Sequence, residues 1–168
     1  MPEKPSDVDT ALILLEGLEP FANHTLKIIR QARRKIIILS EVLDIAVYHN
    51  KGIVTALSEF ARSDRNAHVS ILVKQTRPLV ERNHLILQLA RRLPSKVSIR
   101  RLLIQPEDDA RAYLISDHDT LLYQHQEGEY SGFANYAAKP EAQKIIEEFN
   151  YLWQRQSVED IELRSLTL

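Results

Sequence analysis

Arg34-Lys35-Ile36-Ile37-Ile38-Leu39-Ser40 reads as a strand whose apolar side chains do not alternate with polar ones. A continuous β-branched run of this kind suits a strand covered on both faces, the habit of parallel sheets flanked by helices. Ala67 to Val73 (A-H-V-S-I-L-V) has the same character. Between the two runs, Asn50 is placed to cap a helix to about Arg62 that carries Ile53, Val54, Leu57 and Phe60. Strand, helix, strand in that order is a parallel crossover unit.

Working outward, Thr10 to Glu16 reads as a strand or a buried helical turn stopped by Gly17, and Phe21 to Arg33 as a helix. Downstream, the apolar positions Leu85, Ile86, Leu89, Ala90 and Leu93 give a helix from about Glu81 to Leu93, ended by Pro94. Lys96 to Leu103 is a further strand, followed by an acidic turn from Gln105 to Asp109. Ala112 to Ser116 and Thr120 to Gln124, joined across Asp117-His118-Asp119, have hairpin spacing. Gly128 to Tyr136 reads as short and irregular or extended. Pro140 to Gln154 is the last helix, with Ala142, Ile145, Ile146, Phe149 and Trp153 as its buried face. Crossovers early and a hairpin late predict a three-layer α/β/α domain with a mixed parallel and antiparallel sheet. Residues 1–9 are a loose polar tail and residues 10–168 one domain, whose end (Ile161, Leu163, Leu166, Leu168) alternates enough to add an edge strand or cover a groove.

The chain has 168 residues and no cysteine, so disulfides, thiolate metal sites and a cysteine nucleophile are excluded. No apolar run approaches the ~20 residues of a membrane span. Met1 to Asp7 lacks the basic and apolar regions of a signal peptide, and a cytoplasmic protein without membrane contact is expected. The net charge of −1 conceals a segregation. Residues 1–73 balance 9 basic against 9 acidic side chains, and residues 74–101 set 8 basic against Glu81 alone. Residues 102–168 carry 5 basic and 13 acidic groups. The basic segment 74–101 can meet a phosphate-rich partner, or face the acidic segment within a monomer or across a dimer; the second reading is favoured over nucleic acid.

Candidate chemistry is sparse. Asn83-His84 opens a helix beside Arg77 and Arg82 and can receive an anion at the helix N-terminus, although a surface or capping role for His84 is the plainer reading. Asp117-His118-Asp119 with His125 raises a metal site, but turn chemistry accounts for these residues and no zinc-type spacing is present. The serines form no G-x-S-x-G elbow, and the four glycines form no phosphate-cradling loop. Tyr123, Tyr130, Phe133 and Tyr136 can stack bases or, more simply, pack around the hairpin. No cofactor is expected.

The stretch Ala110-Arg111-Ala112-Tyr113-Leu114-Ile115-Ser116-Asp117, with Thr120-Leu121-Leu122 after it, resembles the active-site strand of the phospholipase D superfamily, whose motif is H-x-K-x-x-x-x-D. Ala32-Arg33-Arg34-Lys35 before the isoleucine run resembles that family's start, Asn50-Lys51-Gly52 with Val69 to Val73 its second unit, and Phe149 with Leu152-Trp153 its closing helix. The resemblance covers most of residues 10–155 and implies one half of a phospholipase D-like fold. It puts Ala110 at the histidine position, Ala112 at the lysine position and Asp117 at the aspartate. Tyr123-Gln124 stand where the family has Gly-Ser, and Asn135 lies too far along to match its asparagine. The chain is also similar to an uncharacterised bacterial family of such degenerate domains.

In the superfamily the histidine attacks phosphorus and the lysine neutralises phosphate charge; two methyl groups do neither. The resemblance therefore implies a catalytically inactive domain serving as a binding or regulatory module. Active members use two motif copies, so a single half implies a homodimer. Arg77, Arg82, His84 and His118 are the candidate ligand-binding residues for an anionic ligand. The alternatives are a phosphodiesterase or nuclease with a rearranged site built on Arg111, His118 or His125, and a non-catalytic nucleic-acid-binding domain using residues 74–101. A one-residue register change would bring Arg111 to the pocket face.

Overall fold

The computed structural model describes residues 11–103 and 109–164. The expected tail 1–9, most of the acidic turn and the terminal Leu166 and Leu168 lie outside the described residues. The elements in chain order are β1 (Leu12–Glu16), α1 (Leu18–Gln31), β2 (Lys35–Ser40), α2 (Ile45–Tyr48), α3 (Lys51–Ser63), β3 (His68–Val73), α4 (Arg77–Glu81) and α5 (Leu85–Arg92). There follow β4 (Val97–Leu102), β5 (Ala112–Ser116), β6 (Thr120–Gln124), β7 (Ser131–Asn135), α6 (Lys139–Arg155), β8 (Ser157–Val158) and a 3-10 turn at Ile161–Leu163.

Among the described residues eight strands form one sheet, in the order β1-β7-β6-β5-β2-β3-β4-β8. β2, β3 and β4 are parallel, as the crossover helices require, and every other pairing is antiparallel. The unbroken apolar run of β2 is explained by its central position. Ile36 and Ile38 face the layer formed by α1 to α5, whereas Ile37 and Leu39 face α6, and all four are buried. The expected three-layer α/β/α architecture with a mixed sheet is the one observed.

Two local expectations need correction, and a third is settled between its alternatives. The helix expected from Glu81 to Leu93 is two helices, broken at Arg82-Asn83, where Asn83 takes φ 49. His84 then caps the second helix, its ring Nδ1 accepting the Ile86 N–H at 3.1 Å. The stretch read as irregular or extended is extended over Ser131–Asn135, where β7 pairs with both β1 and β6. Gly132 gives it too little side chain to register as a strand, yet is required there, because a Cβ would stand 1.9 Å from the Tyr123 carbonyl oxygen. Trp153, expected on the buried face of the last helix, is half-buried. It stacks on the buried Phe149 at 5.7 Å and receives the Arg100 guanidinium at 5.5 Å on its ring.

Candidate functional site

β5 runs antiparallel to β2, so its first residues lie beside the carboxyl end of β2 and its last beside the amino end. The motif positions are thereby divided between two ends of the sheet. Ala110 and Ala112 stand with Ser40 at the carboxyl end, the end at which open α/β sheets place their ligand sites. Asp117 stands at the other end with φ 59, and its carboxylate accepts the backbone N–H groups of Arg33 at 3.2 Å, Arg34 at 2.7 Å and Lys35 at 3.2 Å. Its own N–H donates to the Lys35 carbonyl at 2.6 Å. Asp117 ties the end of α1 to the start of β2, and faces away from any pocket at Ala112.

Ala112 looks into a cavity of about 20 Å³, shared with Phe21, Thr25, Asp44, Tyr48, Gln124 and Glu127. That is room for about one water molecule and no phosphate. Gln124 stands opposite Ala112 in the β5–β6 ladder, buried, and its amide nitrogen has no partner among the described residues. The charged groups lining the cavity are both acidic, Asp44 and Glu127. Glu127 accepts the Ser40 hydroxyl and the N–H groups of Glu41 at 3.2 Å and Val42 at 3.3 Å, while its own N–H donates to the Ala110 carbonyl at 2.9 Å. Burial raises the Glu127 carboxyl above its usual range, more than these hydrogen bonds lower it. Asp44 accepts the Tyr130 hydroxyl at 2.6 Å, and that phenol is pushed up to about 12 by burial and by this carboxylate.

Arg111 points to the opposite face. It holds Asp109 at 3.1 Å and Glu148 of α6, so the register leaves it outside the Ala112 cavity. The other candidates do not converge. Arg77 is exposed and paired with Glu81 at 2.8 Å, and Arg82 is exposed in the break after α4. His84 is buried, with ring Nε2 donating to the Leu43 carbonyl at 3.0 Å, and burial drops its pKa to about 4, so the ring is neutral. His118 lies exposed in the β5–β6 turn, at the Asp117 end. Among the described residues no group of three or more His, Cys, Asp or Glu is arranged to hold a metal ion. The aromatics divide: Tyr123 stacks on Phe133 at 5.4 Å on the α6 face, whereas Tyr130 packs on Phe21 and Tyr136 on His24.

Much of the basic segment is spent inside the molecule. Arg91 donates to the carbonyls of Leu163 at 3.0 Å and Arg164 at 3.2 Å, Arg100 to Ser157 at 2.8 Å, and Arg101 to Asp160 at 3.2 Å. The Thr76 hydroxyl and then Arg101 hold the Asp160 carboxyl below its usual range. These contacts clamp residues 157–164 along the outer edge of β4. Beside them, a cavity of about 620 Å³ is lined by Leu87, Ala90, Val97, Trp153 and Leu163 among others, and none of the expected site residues reaches it.

Glu127, Asp44 and Gln124 were not legible as site residues. Glu127 sits in the turn-like Gln126-Glu127-Gly128, and only the return of the chain after β6 buries it against Ser40.

A mixed sheet of this order, with the motif strand antiparallel beside the first parallel strand, is a phospholipase D-like half fold. Residues 17–166 match the family described as domain of unknown function DUF7931, and the chain belongs to that family. No curated protein matches its sequence. Solved structures that share the fold include these three. NucT from Helicobacter pylori is 15% identical, with a TM-score of 0.59 over 89% of this chain and 97% of that one. The archaeal chromatin protein TrmBL2, described with a novel mode of DNA binding, is 18% identical, with a TM-score of 0.63 over 89% of this chain. Phosphatidylserine synthase from Haemophilus influenzae is 16% identical, with a TM-score of 0.62 over 95% of this chain. The chain spans 54% of the TrmBL2 chain and 40% of the synthase chain. Among the described residues no helix is long and apolar enough to cross a membrane.

Proposed function

We propose that this chain is a catalytically inactive phospholipase D-like domain that serves as a binding or regulatory module, working as a homodimer in the cytoplasm. The observation that carries the reading is the cavity at Ala112. Where the superfamily motif calls for a cationic, phosphate-sized pocket, this chain has two methyl groups, about 20 Å³ of space and the carboxylates of Asp44 and Glu127. A phosphodiester brought there would meet like charge and find no nucleophile.

The test is hydrolysis of bis-p-nitrophenyl phosphate and of duplex DNA by purified protein in excess chelator. No turnover above buffer is expected. Turnover that disappears in His118→Ala, His125→Ala or Arg111→Ala would establish a rearranged active site and overturn the proposal. The dimer is checked separately by light scattering at micromolar concentration, where a mass near 19.4 kDa would remove it.

A further inference from the structure

We infer that the end of the sheet opposite the emptied site is a docking surface for the phosphate backbone of nucleic acid. The inference deepens the binding-module reading, and rests on it, by naming a partner and a surface. The balanced charge of residues 1–73 hides a local excess: residues 20–40 contain five Lys or Arg and no Asp or Glu. Topology then gathers further cations beside them. The crossover helices α1, α3 and α5 each return the chain to the amino end of the parallel strands. All three carry basic side chains in their last turn, Arg30, Arg62, and Arg91 with Arg92.

Attraction to the helix dipole accounts for cations in a last turn. It does not account for Arg33, Arg34, Lys35, Arg65 and Lys96, which lie beyond the helix ends. These five are brought together by backbone contacts. Asp117 collects the N–H groups of Arg33, Arg34 and Lys35, and the His68 N–H donates to the Arg34 carbonyl at 3.2 Å. The Lys96 ammonium donates to the carbonyls of Asp64 at 2.9 Å and Arg65 at 2.5 Å, and Lys35 pairs with His68 across β2 and β3.

Arg33, Arg34, Lys35 and Arg65 are exposed, and none forms an ion pair with a described residue. The field they create is felt locally: His68 is held below its usual pKa by burial, then by Lys35 and Lys96. Of the nearby acids, Asp117 has its carboxylate committed to backbone N–H groups, which leaves Asp64, Asp119 and Glu59, the last lining a shallow pocket with Arg30, against the set.

The patch is a row of fixed charges with no apolar wedge. None of the large exposed apolar side chains comes from residues 30–35, 62–68 or 96. A polyanion read by charge alone suits such a surface, and insertion into a lipid layer does not. Arg77 and Arg82, the pair singled out from the sequence, belong to α4 and the break after it, beyond the carboxyl end of β3, and have no part in the patch.

The experiment is fluorescence anisotropy of a labelled 20-base-pair duplex with the full chain at 50 and 200 mM NaCl. Binding that weakens with salt is expected. The triple variant Arg33→Glu/Arg34→Glu/Lys35→Glu should lower affinity at least ~10-fold and flatten the log–log salt slope by roughly 3. Arg77→Glu/Arg82→Glu should stay within ~3-fold of the parent by the same reasoning. A urea melt checks that the triple variant folds, and Arg34→Ala/Arg65→Ala, which leaves the backbone contacts intact, replaces it if it does not. No binding at 50 mM salt overturns the inference, as does an equal loss in the Arg77/Arg82 variant. Tighter binding to phosphatidylserine vesicles than to the duplex overturns the choice of nucleic acid. Cleavage of the duplex, scored on a gel, would overturn the non-catalytic reading while the affinities still judge the surface.

Discussion

The Asp117 carboxylate accepts the Arg34 backbone N–H at 2.7 Å, joining the last residue of the β5 motif stretch to the loop that starts β2. Arg33 and Lys35 donate to the same carboxylate, and Asp117 itself sits at φ 59, where an L residue other than Asn or Asp is strained. Asp117→Ala therefore removes charge-assisted bonds and leaves a β-carbon in the left-handed region. The expected cost is ~2–3 kcal/mol in urea melts, with Asp117→Asn losing about half as much. Equal stability of Asp117→Ala and the parent would mean that these N–H groups are satisfied by solvent.

In the last helix, Phe149 is 1% exposed and Trp153 only half-buried. Phe149→Ala should cost ~3–5 kcal/mol, as a large cavity in the α6 layer does. Trp153→Ala gives up its stack on Phe149 and the Arg100 contact, and should cost about 1–2 kcal/mol. The order of denaturation midpoints tests the pair.

His84 gives the stability a pH dependence of definite sign. Its folded pKa, about 4, lies below the unfolded value of 6.5 because burial disfavours the charged ring. Between those values the unfolded chain takes up a proton that the folded chain does not. Stability is therefore complete above pH 6.5 and falls as the pH drops towards 4, at up to ~1.4 kcal/mol per pH unit. His84→Asn keeps a helix cap without a titrating ring, so its stability should depend less on pH across that window. Parallel profiles for the two proteins would remove His84 as the cause.

Gln124→Leu should leave stability unchanged or raise it slightly. The amide nitrogen is buried without a partner among the described residues, so an apolar side chain of similar size removes a group that gains little. A loss above ~2 kcal/mol would show that the amide is hydrogen-bonded within the cavity it shares with Ala112.

The fold class was legible because burial on two faces leaves a mark in sequence: the run of β2 carries no polar alternation, β3 is continuously apolar from Ile71 to Val73, and Asn50 caps α3 by accepting the Gly52 N–H at 2.7 Å. The hairpin ends at the residues its spacing gave. β7 was legible only as one of two alternatives, irregular or extended, since Ser131-Gly132 lacks branched side chains and its pairing with β1 is distant in sequence. The break at Asn83 was hidden because Glu81-Arg82-Asn83-His84 also reads as the polar first turn of the helix that follows. At the site, the two alanines were visible as residues, but the acidity of their surroundings was not. Asp44 and Glu127 are 83 positions apart, and only the folded chain places both at the Ala112 cavity.

The pairing of β1 with β7 also sets a timetable. Leu12 pairs with Asn135, 123 positions further along the chain, and among the described residues β1 has no other strand beside it. At 5–20 residues per second, the first strand waits roughly 6–25 s on the ribosome before its partner exists. For that interval Leu12, Ile13, Leu14 and Leu15 have no sheet to join, and β6, once made, shows an open edge where β7 belongs. The chain is most exposed to mispairing just before β7 is made, and β7 closes both gaps in one step.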